Sequence, residues 1–473
     1  MPEFFSFINE VLWGSVMIYL LLGAGCWFTW QTGFIQFRYI RQFSRSLKGS
    51  FSPQPGGLTS FQALCTSLAA RIGSGNLAGV SLAIGPGAVF WMWVSAIIGM
   101  ATSFAECSLA QLYKERDPAG QFRGGPAWYM ARGLGMRWMG VVFALFLLVA
   151  YGVIFNSVQA NSVSRALHFA FNIPPFISGI VLAFCLLLII IRGIKGVARL
   201  MQWLIPIIAL LWITSSVFIC LWHIEQMPEV IASIVKSAFG WQEAAAGAAG
   251  YTLTQAITCG FQRGMFSNEA GMGSTPNAAA AAASYPPHPV AQGIVQMIGV
   301  FSDTIIICTA SAMIILLAGN HTSHSSTEGI QLILHAMVSL TGEWGASFVA
   351  LMVILFAFSS IVANYIYAEN NLFFLRLHNA KMIWLLRLAT IGMVVAGALL
   401  SFPLVWQLAD VIMACMAITN LTAILLLSPV VHTLARDYLR QRKLGVRPQF
   451  DPQRFPDIEP QLAPDTWDAS LRD

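Results

Sequence analysis

FSNEAGMGSTPNAAAAAA, residues Phe266 to Ala283, lies in the middle of a strongly apolar chain. It sets an asparagine and a glutamate beside two glycines, Gly271 and Gly273, and follows them with Thr275-Pro276 and an alanine run. Paired glycines weaken a helix locally. A threonine followed by proline suits the N-cap and first position of a new helix. The stretch therefore predicts a helix that stops, unwinds through Asn268–Ser274 and restarts at Thr275.

The same device stands earlier, in TSLAARIGSGNLAGVSLAI, Thr66 to Ile84, with Gly73 and Gly75 flanked by Ser74 and Asn76. Taken alone, either stretch fits close packing between helices, because small residues let backbones approach. The Gly-x-Gly spacing, the Thr-Pro restart and the recurrence argue for interrupted helices instead. Unwound backbone inside a bilayer persists only where it lines a cavity or is buried in protein. A matched pair of glycine-interrupted spans is the sequence mark of a transporter site.

The composition points to a polytopic membrane protein. The chain has 473 residues, of which 57% are apolar and 10% charged, where a soluble domain carries about 25% charged residues. Spans of about 20 apolar residues are expected at 12–30, 58–84, 88–112, 138–162, 174–191, 198–222, 245–283, 289–317, 345–373, 382–401 and 404–431. The interrupted spans are the second and seventh of these eleven, so spans 2–6 and 7–11 form two five-span halves of opposite orientation. The expected organisation is an extra helix and basic loop over 1–57, a first repeat over 58–222, a second over 223–431 and a tail over 432–473.

Basic residues set the orientation. Arg38, Arg41, Arg45 and Lys48, then Lys114 to Arg137, Arg192 to Arg199, Arg376 to Arg387 and the tail from Arg436 to Arg472 share one side. The opposite loops hold only Arg165 and Lys236. The N-terminus is expected outside and the C-terminus in the cytoplasm. The net charge of +5 needs no nucleic acid to account for it. The N-terminus carries Glu3 and Glu10 and no basic residue, unlike a signal peptide. The eight cysteines form no CxxC and are expected as packing residues. His321, His324 and His335 fall in one polar loop, where a solvated loop is favoured over a metal site.

The broken ends suggest their ligands. A half-helix restarting after Gly75 offers free N–H groups to a carboxylate. The half-helix ending near Ile72 leaves free carbonyls for a cation. Arg71 and Glu106, in the same halves of their spans, are expected as a structural ion pair. Arg263 and Asp410, outside the second interruption, are expected as a gate.

At these residues the chain resembles the alanine/glycine:cation symporters, also called sodium:alanine symporters. The matching stretches are GSGNLAGV, GPGAVFWMWV, GGPAWYM, SVQANSV, RGMFSNEAGMGS, FAFSSIVANYIYAENN and VWQLADVIMACMAITN. The resemblance implies an all-α membrane protein of the leucine-transporter type, a 5+5 inverted repeat taking up small neutral amino acids with Na+. It implies that Gly73, Ser74, Gly75 and Asn76 hold the substrate carboxylate, that Gln159 faces the site, and that Asn268, Gly271 and Ser274 complete it. Trp406 would bound the pocket. Ala69, Ile72, Asn76, Ser359 and Ser360 would hold Na+. SLAIGPGAVF is about three residues shorter than the family pattern, and as helix Asn76–Ile84 covers only about 13–14 Å.

Proton coupling and a channel are the alternatives to a Na+ symporter. A channel needs no occluded site. An intramembrane enzyme would need a nucleophile and base, and no span sets Ser or Asp near His at a usable spacing. No organic cofactor or obligate protein partner is implied. The expected location is a bacterial inner membrane.

Overall fold

The computed structural model describes residues 2–39, 43–52, 57–84, 87–240, 249–319, 329–464 and 466–467. Arg41, Gly85, Pro86, residues 245–248 of the expected seventh span, His321, His324, Glu328 and Arg472 lie outside the described residues.

Among the described residues, eight helices are long and apolar enough to cross a membrane. In chain order the helices used below are α1 (Phe4–Gln31), α2 (Ser60–Arg71), α3 (Ala78–Ile84), α4 (Val89–Leu112), α5 (Arg137–Phe171), α6 (Pro175–Ile190) and α7 (Gly193–Trp222). The second series is α8 (Ala249–Asn268), α9 (Pro276–Ala280), α10 (Pro289–Leu317), α11 (Ile330–Thr341), α12 (Trp344–Phe374), α13 (Ala380–Leu399) and α14 (Phe402–Leu426). The long spans are α1, α4, α5, α7, α10, α12, α13 and α14. The other expected spans are the interrupted pairs α2/α3 and α8/α9, and α6, whose 16 residues reach about 24 Å.

Three expectations need correction. The last span stops at Leu426 rather than 431, because Ser428-Pro429 opens a separate helix, α15 (Ser428–Lys443). The restart after Thr275 stops at Ala280 rather than 283. Ala282 instead makes a parallel bridge with Leu58. Thr275 does not cap that helix through its side chain: its hydroxyl turns to the Glu269 carboxylate at 3.5 Å. In addition His335, expected in a loop, lies exposed on α11 with its ring edge-on to Phe169 at 4.7 Å.

α4 and α10 pack against each other through the centre, and every residue of Pro289–Val300 is buried. α12 packs on both α2 and α5, while α8 and α9 pack on α4. α7 and α13 keep most of their surface outward, and α7 exposes Trp203, Leu210, Phe218 and Trp222. The two interruptions are thus enclosed by α4, α5, α10, α12 and α14.

The alanine run permits this closeness. Gln111 and Lys114, at the end of α4, both donate to the Ala282 carbonyl, at 2.8 and 3.0 Å. Burial, with Arg116 nearby, pushes the Lys114 ammonium well below its ordinary pKa. A hairpin of β1 (Glu115–Arg116) and β2 (Phe122–Arg123) follows, and Gly124 lies against Ala280 where a Cβ would come within 2.8 Å.

Candidate functional site

Capped at Thr59 by a reciprocal bond with Gln62, α2 runs to Arg71. Ile72 then leaves helical geometry (ψ 84°), Gly73 is extended, and Ser74–Asn76 form a single 3₁₀ turn before α3. The glycines here are required for close approach. A Cβ on Gly73 would collide with Ser360 Oγ and the Gln159 amide, and one on Gly75 would come within 2.8 Å of the Phe266 ring.

Two amides of this turn are engaged by side chains. Gly73 N donates to Asn76 Oδ1 at 3.0 Å and Ser74 N donates to Gln159 Oε1 at 2.8 Å. Gln159 therefore faces the interruption from α5. Ser74 Oγ is buried without a hydrogen-bond partner among the described residues, as is Trp406 Nε1. These groups remain free to bind a small polar ligand.

The aromatic wall is layered. Phe266 contacts Gly75, meets Phe155 edge-on at 5.5 Å and tilts against Trp406 at 4.7 Å. Above Trp406 lies the Arg263 guanidinium, 5.0 Å from its ring. Arg263 Nη2 donates to Asp410 Oδ2 at 2.7 Å, both side chains being buried. Nε and Nη1 of Arg263 and Oδ1 of Asp410 have no hydrogen-bond partner among the described residues, so the bridge is single-pronged rather than bidentate. Phe266 stands inside the quoted RGMFSNEAGMGS stretch but was not among the expected site residues. An aromatic in an apolar span carries no sequence signal that separates pocket wall from core.

On the other side of Gly73, α12 brings its serines to the end of α2. Ser360 Oγ lies 2.8 Å from the Ala69 carbonyl and 3.3 Å from that of Ile72. Helix-end carbonyls lack an intrahelical partner, so these oxygens form a compact donor set for a hard cation. Ser359 is not part of it: its hydroxyl bonds back to Phe356 O, at 2.9 Å within its own helix.

The second interruption divides the expected residues. Glu269 (φ +56°), Gly271 and Gly273 (both φ +85°) adopt left-handed backbone, where glycine carries no steric cost. Gly271 N donates to Glu106 at 3.2 Å, and Asn420 donates to both Glu106 and Gly271 O. Ser274 and Tyr151 each donate to Glu269 at 2.7 Å. Gly271 and Ser274 therefore face the Glu106–Glu269 cluster rather than the Gly73–Asn76 turn. The expected Arg71–Glu106 ion pair is absent. Arg71 donates instead to Ser103 and the Gln296 carbonyl, both at 3.3 Å, while the Glu106 oxygens are held by Gly271 and Asn420.

Asn268 does reach the first interruption, through α10. It donates to Thr304 Oγ1 at 3.1 Å, and Thr304 donates to Asp303 at 2.9 Å. Asp303 also accepts from Ser267 and from Asn76, each at 2.7 Å. Its carboxylate is fully buried and, among the described residues, forms no ion pair; its donors are neutral. Asp303 was not expected at the site, although an acid inside an apolar span was its signal.

Among the described residues, three segments have π-helical geometry: Leu12–Met17, Ala150–Ile154 and Phe301–Cys308. Such wide turns concentrate at functional sites. Each carries a side chain to this region. Trp13 donates to the Asp410 carbonyl, Tyr151 to Glu269, and Asp303 accepts from Asn76.

The profile of the "Sodium:alanine symporter family" matches residues 1–452. The chain is 76% identical to "Uncharacterized transporter YaaJ" of Escherichia coli (strain K12), covering 99% of each sequence. It is 45% identical to "Probable sodium/glutamine symporter GlnT" of Bacillus subtilis (strain 168), over 93% of this chain and 91% of that one. It is 38% identical to "Sodium/alanine symporter AgcS" of Methanococcus maripaludis, over 93% of this chain and 98% of that one. With helices apolar enough to cross a bilayer and a match over nearly its whole length, the chain is an integral membrane transporter, not an enzyme, and it belongs to the sodium:alanine symporter family.

Proposed function

We propose that the protein takes up a small neutral amino acid, such as alanine or glycine, together with Na+ by alternating access. The observation that carries this reading is the meeting of the first interruption with the end of α8 in one buried region, where Ser267 and Asn76 share Asp303. There the Ala69 and Ile72 carbonyls meet Ser360, and Asn76 meets Asp303. The substrate carboxylate would take Ser74 N and the free Ser74 Oγ, displacing the Gln159 oxygen. The space bounded by Gly75, Gly79, Phe266 and Trp406 suits a short side chain, since a Cβ on Gly79 would already touch Trp406 at 3.4 Å. Na+ would sit on Ala69 O, Ile72 O and Ser360 Oγ, and so tie α12 to the broken helix. Binding of cation and substrate at adjoining ends of one helix supplies the coupling free energy.

In this reading α2–α7 and α8–α14 are the two inverted halves, and Arg263–Asp410 closes the outer entrance. The N-terminus lies outside and the tail from residue 432 in the cytoplasm of a bacterial cell. Uptake of labelled alanine and glycine into proteoliposomes, with and without an inward Na+ gradient, tests the function. Accumulation indifferent to Na+ and to pH would refute coupling, and flux without counterflow exchange would favour a channel. Proton coupling is the second reading, favoured by Asp303, a buried carboxylate among neutral donors that a proton could also neutralise. Uptake driven by an imposed pH gradient in Na+-free buffer would select it.

A further inference from the structure

A groove of about 670 Å³ lies where the end of α1 meets α15, away from the transport site. One wall is Gln31–Gly33, at the end of α1 and just past it. The other is one face of α15, along which His432, Arg436, Leu439, Arg440 and Lys443 recur at helical spacing. The opposite face of α15 is buried against the protein through Val431, Leu434, Tyr438 and Gln441. The basic face is therefore the one that packing leaves open.

The groove adjoins the ends of the first and last spans. α15 begins two residues after the last span ends. Trp27 and Trp30, paired at 5.6 Å, and Phe34 and Phe37 stand exposed on α1 and just beyond it. Exposed aromatics of this kind mark the interface between headgroups and acyl chains. The Arg38 guanidinium borders the α1 wall, 3.1 Å from where a Cβ on Gly33 would lie. Arg440 is partly neutralised by Asp437 at 3.0 Å, but Arg436 and Lys443 form no ion pair among the described residues.

We propose that this groove binds an anionic phospholipid. Its phosphodiester lies between Arg436 and Lys443, and an acyl chain runs along the exposed tryptophans of α1. Charge complementarity selects the headgroup, and the aromatic and leucine surface selects a lipid over a soluble phosphate. Basic pockets beside membrane helices recognise anionic headgroups by these two features together. The bound lipid would bridge the first helix to the helix that follows the last span, a link otherwise made by His432 Nδ1 lying 3.1 Å from the Gln31 carbonyl.

Native mass spectrometry of the full chain in mild detergent, titrated with phosphatidylglycerol or phosphatidylcholine, tests this. Phosphatidylglycerol should be retained one per chain in preference to phosphatidylcholine. Arg436→Ala and Lys443→Ala should each weaken retention about fivefold. The charge-keeping Arg436→Lys should restore most of it, and the control pair Lys195→Ala and Arg199→Ala should leave it unchanged. Equal retention of the two lipids, equal loss in the control pair, or displacement by inorganic phosphate would each overturn the proposal. Should the alanine variants not fold, wild-type retention at low and high salt decides. Retention that ignores salt would also overturn it.

Discussion

Asn76 and Asp303 meet at 2.7 Å, and this hydrogen bond, with a second from Asn76 to Cys308 Sγ at 3.3 Å, joins the interrupted second span to the wide turn of α10. Ser267, from the end of α8, bonds the other oxygen of the same carboxylate. Both interruptions are thus anchored on a single acidic side chain.

Asp303→Asn should impair transport while leaving the chain folded, because an amide keeps the shape but not the charge. Hydrogen bonds to a charged group contribute about 1.5–3 kcal/mol, so the cation concentration for half-maximal uptake should rise about tenfold or more. Uptake measured against Na+ concentration checks this. An unchanged curve would make Asp303 a packing residue.

The two serines of α12 should separate. Ser360→Ala should raise the Na+ requirement, because Ser360 alone reaches the Ala69 and Ile72 carbonyls. Ser359→Ala should not, since its hydroxyl stays within its own helix. Alanine affinity at saturating Na+ should change little in either. Equal effects of the two substitutions would move the cation elsewhere.

Gly75→Leu should abolish uptake, and Gly75→Ala should cut it strongly, because even a Cβ would come within 2.8 Å of Phe266. The clash is with a ring rather than with backbone. Gly75→Ala combined with Phe266→Leu should therefore regain part of the lost activity. No regain would mean that the glycine serves the backbone and not the fit.

Arg263 and Asp410 should be exchangeable in part. Either single alanine variant leaves a buried charge alone, which costs about 3–5 kcal/mol. The reversed pair, Arg263→Asp with Asp410→Arg, should regain some uptake over either single reversal. Full activity in both single variants would return the pair to ordinary packing.

Acid should loosen the docking of the tail. His288 is buried and lies 3.5 Å from Asp437 of α15. Burial holds its imidazole below its usual pKa, with Asp437 only partly opposing. At Asp437 burial works upward, but contacts with His288 and Gln441 and the charge of Arg440 outweigh it and hold the carboxyl below its usual value. The unfolded state therefore takes up protons that the folded state resists. For His288, stability present at neutral pH is lost as pH falls through its unfolded value of about 6.5. Asp437 adds a loss in the same direction, below the ordinary carboxylate range. Melting temperature in detergent should fall between neutral pH and about pH 5, and His288→Gln should flatten the upper part of that slope.

How much of this was legible in the sequence depends on the kind of signal. The interruptions at Gly73–Asn76 and Asn268–Ser274 were readable, because glycine pairs and Thr-Pro act on the local backbone. The approach of Ser360 to Ala69 was reached only through the family resemblance, since a serine pair in a helix has a local use as well. Gly271 and Ser274, expected to complete the substrate site, meet Glu106 and Glu269 instead of the Gly73–Asn76 turn, because facing direction in an unwound segment follows its φ angles, and no periodicity records them. The Arg71–Glu106 pairing failed because Gly271 N and Asn420 were the nearer partners, a competition only tertiary packing decides. α11 was missed because twelve residues are too few to register as a span.

The π-helical turns carry a consequence for any helical wheel drawn on this chain. An α-helix advances about 100° per residue, and a wide turn absorbs an extra residue, which resets that count. α1, α5 and α10 are each two wheels in series with a fixed phase offset at Trp13, Tyr151 and Asp303. Removing one residue from within Phe301–Cys308 would shorten the chain by little and still permit a helix. It would, however, swing one half of α10 against the other by about 100°. The carboxylate would then point away from Asn76 while the apolar composition stayed the same. Angular position around these helices is thus encoded by residue count, separately from residue type.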